Sequence, residues 1–140
     1  MQTLQQQRAK HALAQVKSWM PLNEGSKLKA RCSELPFMIH ANGLGQAAAF
    51  FKSKVGEKDK DCYGYVFLAL QSWLTRPNPK DAKDAQDPPA GNADLMQAIV
   101  DADLHGYRLA QAEAIQYMDW IKKFASAYLV SNERAAQEPK

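Results

Sequence analysis

The stretch Phe37-Met-Ile-His-Ala-Asn-Gly-Leu-Gly-Gln-Ala-Ala-Ala-Phe-Phe51 decides the fold. Read one way, residues 37–40 form a strand, followed by a glycine turn and a helix. Gly43-Leu-Gly45-Gln-Ala-Ala48 then matches the dinucleotide pattern GxGxxA, with Asp59 or Asp61 near the distance of a ribose-binding acid. Read the other way, one helix runs from Pro36 to about Lys54. At about 100° per residue, Phe37, His40, Leu44, Ala47, Ala48, Phe51 and Val55 share one arc, as a core-facing helix requires, while Asn42, Gln46, Ala49 and Ser53 line a separate stripe. The strand reading needs further βα units that the rest of the chain does not supply, so the helical one is preferred. A glycine inside a helix costs roughly 0.5–1 kcal/mol relative to alanine. Gly43 and Gly45 therefore imply a compensating gain: beside Ala47, Ala48 and Ala49 they leave a side-chain-poor surface for the close approach of a neighbouring helix or of a partner's backbone. Asn42 and Gln46, one turn apart, can hydrogen-bond to whatever lies there.

Outward from this stretch, the chain reads as helices. Thr3 caps a helix running to about Trp19, with Leu4, Ala9, Ala12, Leu13, Val16 and Met20 at helical spacing and Pro21 as its stop. After a turn at Asn23-Glu24-Gly25-Ser26, a short helix carries Leu28, Cys32 and Leu35 on one face and Lys27 with Arg31 on another; Pro36 marks its end or a kink. Tyr63, Val66, Phe67, Leu70, Trp73 and Leu74 predict an amphipathic helix over 61–75, ended by Arg76-Pro77. Residues 76–92 hold four of the seven prolines and read as a surface loop. Asn92 or Asp94 starts a short helix with Leu95, Ile99 and Val100. A last, long helix runs from about Asp103 to Leu129 with Tyr107, Ala114, Met118, Ile121, Ala125 and Tyr128 repeating along it, and residues 131–140 should fray. The expected fold is an all-α compact bundle of five to six helices with no sheet, one domain spanning residues 1–140.

Composition narrows the function. With 140 residues, 46% hydrophobic and 24% charged, the chain is ordinary for one globular domain. Scattered charges leave no run of about 18 apolar residues to span a membrane, and the start lacks the apolar region of a signal peptide, so a cytoplasmic location is expected. The net charge of +3 is unevenly spread: residues 1–60 hold 10 Lys+Arg against 4 Asp+Glu, and residues 61–140 hold 8 against 11. A basic first half permits a phosphate-backbone partner. Cys32 and Cys62 stand far apart without a CxxC or Cys-His pattern, which suits reduced thiols, and His11, His40 and His105 are isolated from one another; no metal site and no cofactor are expected. No nucleophile–base arrangement has a motif context, and Glu113 and Asp119 fall about 120° apart on their helix, too divergent for an acid/base pair. An enzyme is not expected.

The residues left to carry function are cations, amides and one tryptophan. Lys27, Arg31, Lys52, Lys54, Lys58, Arg108, Lys122 and Lys123 are candidate phosphate contacts, since such donors neutralise backbone charge without reading sequence. Lys122 and Lys123 also suit the C-terminal dipole of their helix. Trp120, in the outer half of that helix beside Lys123, is either a stacking or protein-contact site or one wall of a helix buried on several sides.

The frame Leu35-Pro-Phe-Met-Ile-His-Ala-Asn-Gly-Leu-Gly-Gln-Ala-Ala-Ala-Phe-Phe-Lys-Ser-Lys54 resembles the signature of the small helical subunit of type III-B CRISPR effectors, the fifth protein of the Cmr set. Asp103-Leu-His-Gly-Tyr-Arg108 and Ala112-Glu-Ala-Ile-Gln-Tyr-Met-Asp-Trp-Ile-Lys-Lys-Phe-Ala125 resemble that family's closing helix, so the likeness spans roughly residues 4–129. His40 stands where a longer polar or basic side chain is common, and residues 76–92 look like a local insertion. The resemblance implies a non-catalytic subunit that stacks with copies of itself along a ribonucleoprotein filament. Its neighbours there would be the crRNA-binding backbone subunits and the large polymerase-like subunit, and it would help to hold the target RNA. On this reading Lys52, Lys54, Arg108, Lys122 and Lys123 are the RNA contacts, with Lys27 and Arg31 beside them; Asn42, Gly43, Gly45, Gln46 and Trp120 meet RNA or a neighbouring subunit. The alternative is a helical adaptor that touches only proteins.

Overall fold

Short capping side chains set where three of the helices begin. The Thr3 hydroxyl accepts the Gln6 N–H at 3.1 Å while Gln6 Oε1 accepts the Thr3 N–H at 2.9 Å, a reciprocal box that satisfies two donors which the first helical turn leaves orphaned. Asp94 accepts from Met96 and Gln97, and Asp103 accepts from Gly106 at 2.7 Å. In the computed structural model, described over residues 2–57, 61–77 and 93–130, the elements follow as α1 (Leu4–Trp19), a 3-10 turn (Met20–Leu22), α2 (Gly25–Asn42), α3 (Leu44–Lys54), α4 (Asp61–Leu74), α5 (Leu95–Asp101) and α6 (Leu104–Tyr128). The fold is the all-α bundle expected, with no strand among the described residues. Residues 78–92, the tail 131–140, Lys58 and Asp59 lie outside those residues, so the expectations of a loop, a frayed end, a phosphate contact at 58 and a ribose-binding acid at 59 fall there too.

The deciding stretch is helical, but not as one helix. The short helix expected after residue 26 continues through Pro36 to Asn42 as α2, and α3 starts anew after Gly43. Proline lacks an N–H, so α2 forgoes one donor to the Cys32 carbonyl and otherwise continues. Gly43 then takes φ 87° and ψ 161°, a conformation essentially reserved for glycine. This break rotates the second half of the stretch relative to the first, so the single arc does not hold. Leu44, Ala47, Ala48 and Phe51 enter the core, whereas Phe37, His40 and Val55 are exposed; α2 instead buries Leu28, Cys32, Leu35 and Ile39.

The longest helix, α6, organises the packing. Arg8 lies against Glu113, His11 against Tyr117 and Lys17 against Tyr128, so α1 runs parallel to α6. Gly25 meets Val130 while Leu44 and Gly45 meet Gln111 and Tyr107, so α2 runs antiparallel to it. Helices α3 and α4 close the other side of α2. One buried cluster draws on all six helices, with Trp73, Tyr117, Phe51 and Phe67 its largest members; burying each such ring contributes about 1.5–3 kcal/mol. The apolar set expected on α1 is only partly inside: Leu4 and Met20 are exposed, and Arg8 and His11 are buried instead. Val100 on α5 and Tyr128 on α6 are likewise exposed.

Candidate functional site

At the α2–α3 junction the glycines do what a phosphate-binding turn does, with a different ligand. Two N–H groups at the start of α3 point outward as orphan donors. Leu44 N–H donates to Gln111 Oε1 at 2.9 Å, and Gly45 N–H donates to the Tyr107 hydroxyl at 2.9 Å. Side chains of α6 thus occupy the place that a dinucleotide's pyrophosphate takes in a GxGxxA turn. A Cβ on Gly43 would come within 3.2 Å of the Tyr107 hydroxyl, and one on Gly45 would touch Tyr107 and Ile99 at 3.5 and 3.6 Å. The side-chain-poor surface of the two glycines therefore receives α5 and α6 of the same chain. Asn42 and Gln46 beside it are exposed.

The candidate cations fall into two groups, separated by α2. On the flank toward α4, the Arg31 guanidinium lies 4.5 Å from the centre of the Tyr63 ring, hydrogen-bonds to its hydroxyl and pairs with Glu34 at 2.9 Å. Tyr63 packs edge-on against Phe50 and Phe51. Lys54 Nζ sits 5.2 Å over Phe50, and Lys52 Nζ sits 5.4 Å over Phe67. Lys27, one turn before Arg31, is 3.7 Å from Glu24. Three cations on an aromatic platform, with Lys27 beside them, can present charge to a phosphate strand while resting on rings.

On the opposite flank, Ser33, Pro36, Phe37 and His40 of α2 face Ile115, Gln116, Asp119 and Lys122 of α6 across a groove of about 410 Å³ that is open to solvent. Lys122 is one lining side chain; Lys123, one residue on, pairs with Asp119 at 2.9 Å. Arg108 is exposed two turns before Ile115 on the same face of α6. Trp120 is partly buried on the side toward α1, stacked on Phe124 with centroids 5.4 Å apart, and Phe124 meets Tyr128 edge-on. The expected contacts therefore do not share one surface.

A buried polar centre joins α1, α4 and α6, and nothing in the sequence pattern foretold it. Arg8 pairs with Glu113 through two hydrogen bonds at 2.8 and 3.1 Å, and Arg76 approaches the same carboxylate at 3.6 Å while lying 3.8 Å over the Trp73 ring. His11 Nδ1 is 2.7 Å from the Tyr117 hydroxyl and its Nε2 is 3.1 Å from Ser72 Oγ, so one ring nitrogen donates and the other accepts. Burial, assisted by the Arg76 charge, lowers the His11 pKa to about 4; burial also raises Tyr117 and pushes the Cys32 thiol up to about 12. These groups are held neutral or paired, as structural polar clusters are. Among the described residues no three of His, Cys, Asp or Glu come together as metal ligands, and no helix there is long and apolar enough to cross a membrane.

Comparison with known proteins sets this geometry in a family. The model of a CRISPR-associated protein family, Cas_Cmr5, matches residues 4–128, nearly the whole of the described chain. Among solved structures, the chain is similar to a CRISPR-associated Cmr5 family protein from Thermus thermophilus. The TM-score is 0.70 at 21% sequence identity, over 92% of this chain and 100% of that one. At that identity the likeness speaks for the fold, and the family match speaks for the lineage.

Proposed function

The chain belongs to the CRISPR-associated Cmr5 family, and from that premise we propose that it is the non-catalytic small subunit of a cytoplasmic type III-B Cmr ribonucleoprotein complex in antiviral defence. In this role it stacks with copies of itself and with the large and backbone subunits, and it helps to hold the guide:target RNA through Lys and Arg contacts to phosphate. The family match carries the reading. The cation platform of Arg31, Lys52 and Lys54, with Lys27 beside it, is the surface best suited to the phosphate strand. Lys122, Lys123 and Arg108 extend the contacts on the far flank of α2, and Asn42, Gln46 and Trp120 are the exposed or half-exposed groups left for RNA or a neighbouring subunit. Such contacts depend strongly on salt and little on base sequence.

A second reading is favoured by one observation: Lys27, Arg31 and Lys123 each have a carboxylate of their own chain within reach. Their charge would then be partly offset, and the protein would be a helical adaptor that touches only other subunits. Zero-length RNA crosslinking in the assembled complex separates the two. The RNA-holding role predicts crosslinks on this subunit near Lys52 and Lys54; crosslinks confined to the other subunits would establish the adaptor.

A further inference from the structure

We propose that the groove between α2 and α6 is a subsite for one unpaired nucleotide of single-stranded RNA, with its base stacked on the Phe37 ring and its phosphate held by Lys122. This rests on the RNA-holding role proposed above and assigns a distinct piece of surface to it. Phe37 is 71% exposed, although exposing a phenyl ring forfeits the gain that burial brings. Among the described residues no aromatic ring packs on it, in contrast to the rings of Phe50, Tyr63 and Phe124. A bare ring beside a groove of about 410 Å³ is the arrangement on which bases stack irrespective of sequence.

Charge selects the occupant. Asp119 lines the groove, but its carboxylate is taken by Lys123 at 2.9 Å. Among the described residues Lys122 has no carboxylate partner, so the uncompensated charge of the groove is a single cation, complementary to one phosphate. Ser33, His40 and Gln116 add the hydrogen-bonding groups that meet a base edge or a 2′-hydroxyl. Ring, cation and short polar side chains in one cleft fit a nucleotide better than an acidic peptide, which would need cations in series. The platform of Lys52 and Lys54 on the other flank of α2 would track the backbone, and the groove would take a base that leaves the strand.

The test uses the assembled complex with target RNA bearing 4-thiouridine at successive positions. A crosslink to Phe37 or its groove neighbours is expected from an unpaired position. Phe37→Leu, which keeps the apolar bulk of an exposed site and leaves the core untouched, should lower that crosslink about tenfold or more. Lys122→Gln should lower it as well, with crosslinks near Lys52 and Lys54 unchanged. Crosslinks near Lys52 and Lys54 with none in the groove, or a groove crosslink indifferent to Phe37→Leu, would overturn the subsite and leave the RNA-holding role standing. The subsite is equally overturned if the groove crosslinks to another protein subunit instead. Absence of any RNA crosslink on this subunit would overturn both.

Discussion

Glu113 answers to two arginines at once. Arg8 and Arg76 converge on its carboxylate from α1 and from the end of α4, and the Arg8 side chain is only 8% exposed. Removing the acid leaves two cations without their counter-charge in a low-dielectric site, which costs about 3–5 kcal/mol for a buried pair. Glu113→Ala should therefore lower stability by that order in urea denaturation, and Glu113→Gln, which keeps one acceptor, by less. His11 supplies a pH dependence of definite sign. Its folded pKa is about 4 against an ordinary 6.5, so below 6.5 the unfolded chain takes up a proton that the folded chain refuses. The stability that a neutral His11 contributes is complete above about 6.5, declines as the pH falls toward 4, and changes no further beneath. His11→Gln removes this titration, and its denaturation midpoint should fall less steeply over the same interval. Neither group was legible beforehand, because the partners of residues 8 and 11 lie about a hundred positions away and no local periodicity encodes them.

Among the elements, the α2–α3 junction carries the instructive difference between expectation and structure. That these residues are helical was readable from their spacing, as were the starts of α1 and α6 at Thr3 and about Asp103 and the amphipathic runs of α4 and α6; for α5 the choice between Asn92 and Asp94 falls to Asp94. The break at Gly43 was not. It is stabilised by Gln111 and Tyr107, which accept the freed N–H groups from 67 and 62 positions along the chain. The two glycines consequently differ. Gly43→Ala should cost about 1–3 kcal/mol, since its backbone conformation strains any side chain and the new Cβ presses on the Tyr107 hydroxyl. Gly45→Ala, with ordinary contacts in a first helical turn, should be neutral or slightly stabilising. Thermal melts of the two variants read the contrast directly. Tyr107→Phe removes the acceptor for Gly45 N–H and should cost about 1 kcal/mol in the same assay.

For the whole molecule, the charge split between the two halves of the sequence drew attention to the first three helices and left the arrangement of the cations open. Side-chain type alone made Lys27, Arg31, Lys52, Lys54, Arg108, Lys122 and Lys123 candidates; which flank of α2 each occupies depends on the antiparallel placement of α2 against α6, whereas the carboxylates beside Lys27, Arg31 and Lys123 lie three or four positions away in the sequence. At the end of α3, Lys54 sits over Phe50 of its own helix and Lys52 over Phe67 of α4, neither with an acidic partner among the described residues, and it is there that the RNA-holding role can be tested most sharply. Target-RNA capture by the assembled complex should be measured as a function of salt for the native subunit and for Lys52→Glu with Lys54→Glu. The two substitutions touch only exposed or half-exposed side chains. Direct binding predicts weaker capture at every salt concentration and a salt dependence shallower by about 0.7 in the log–log slope for each phosphate that is no longer neutralised; capture and slope identical to those of the native complex would contradict it.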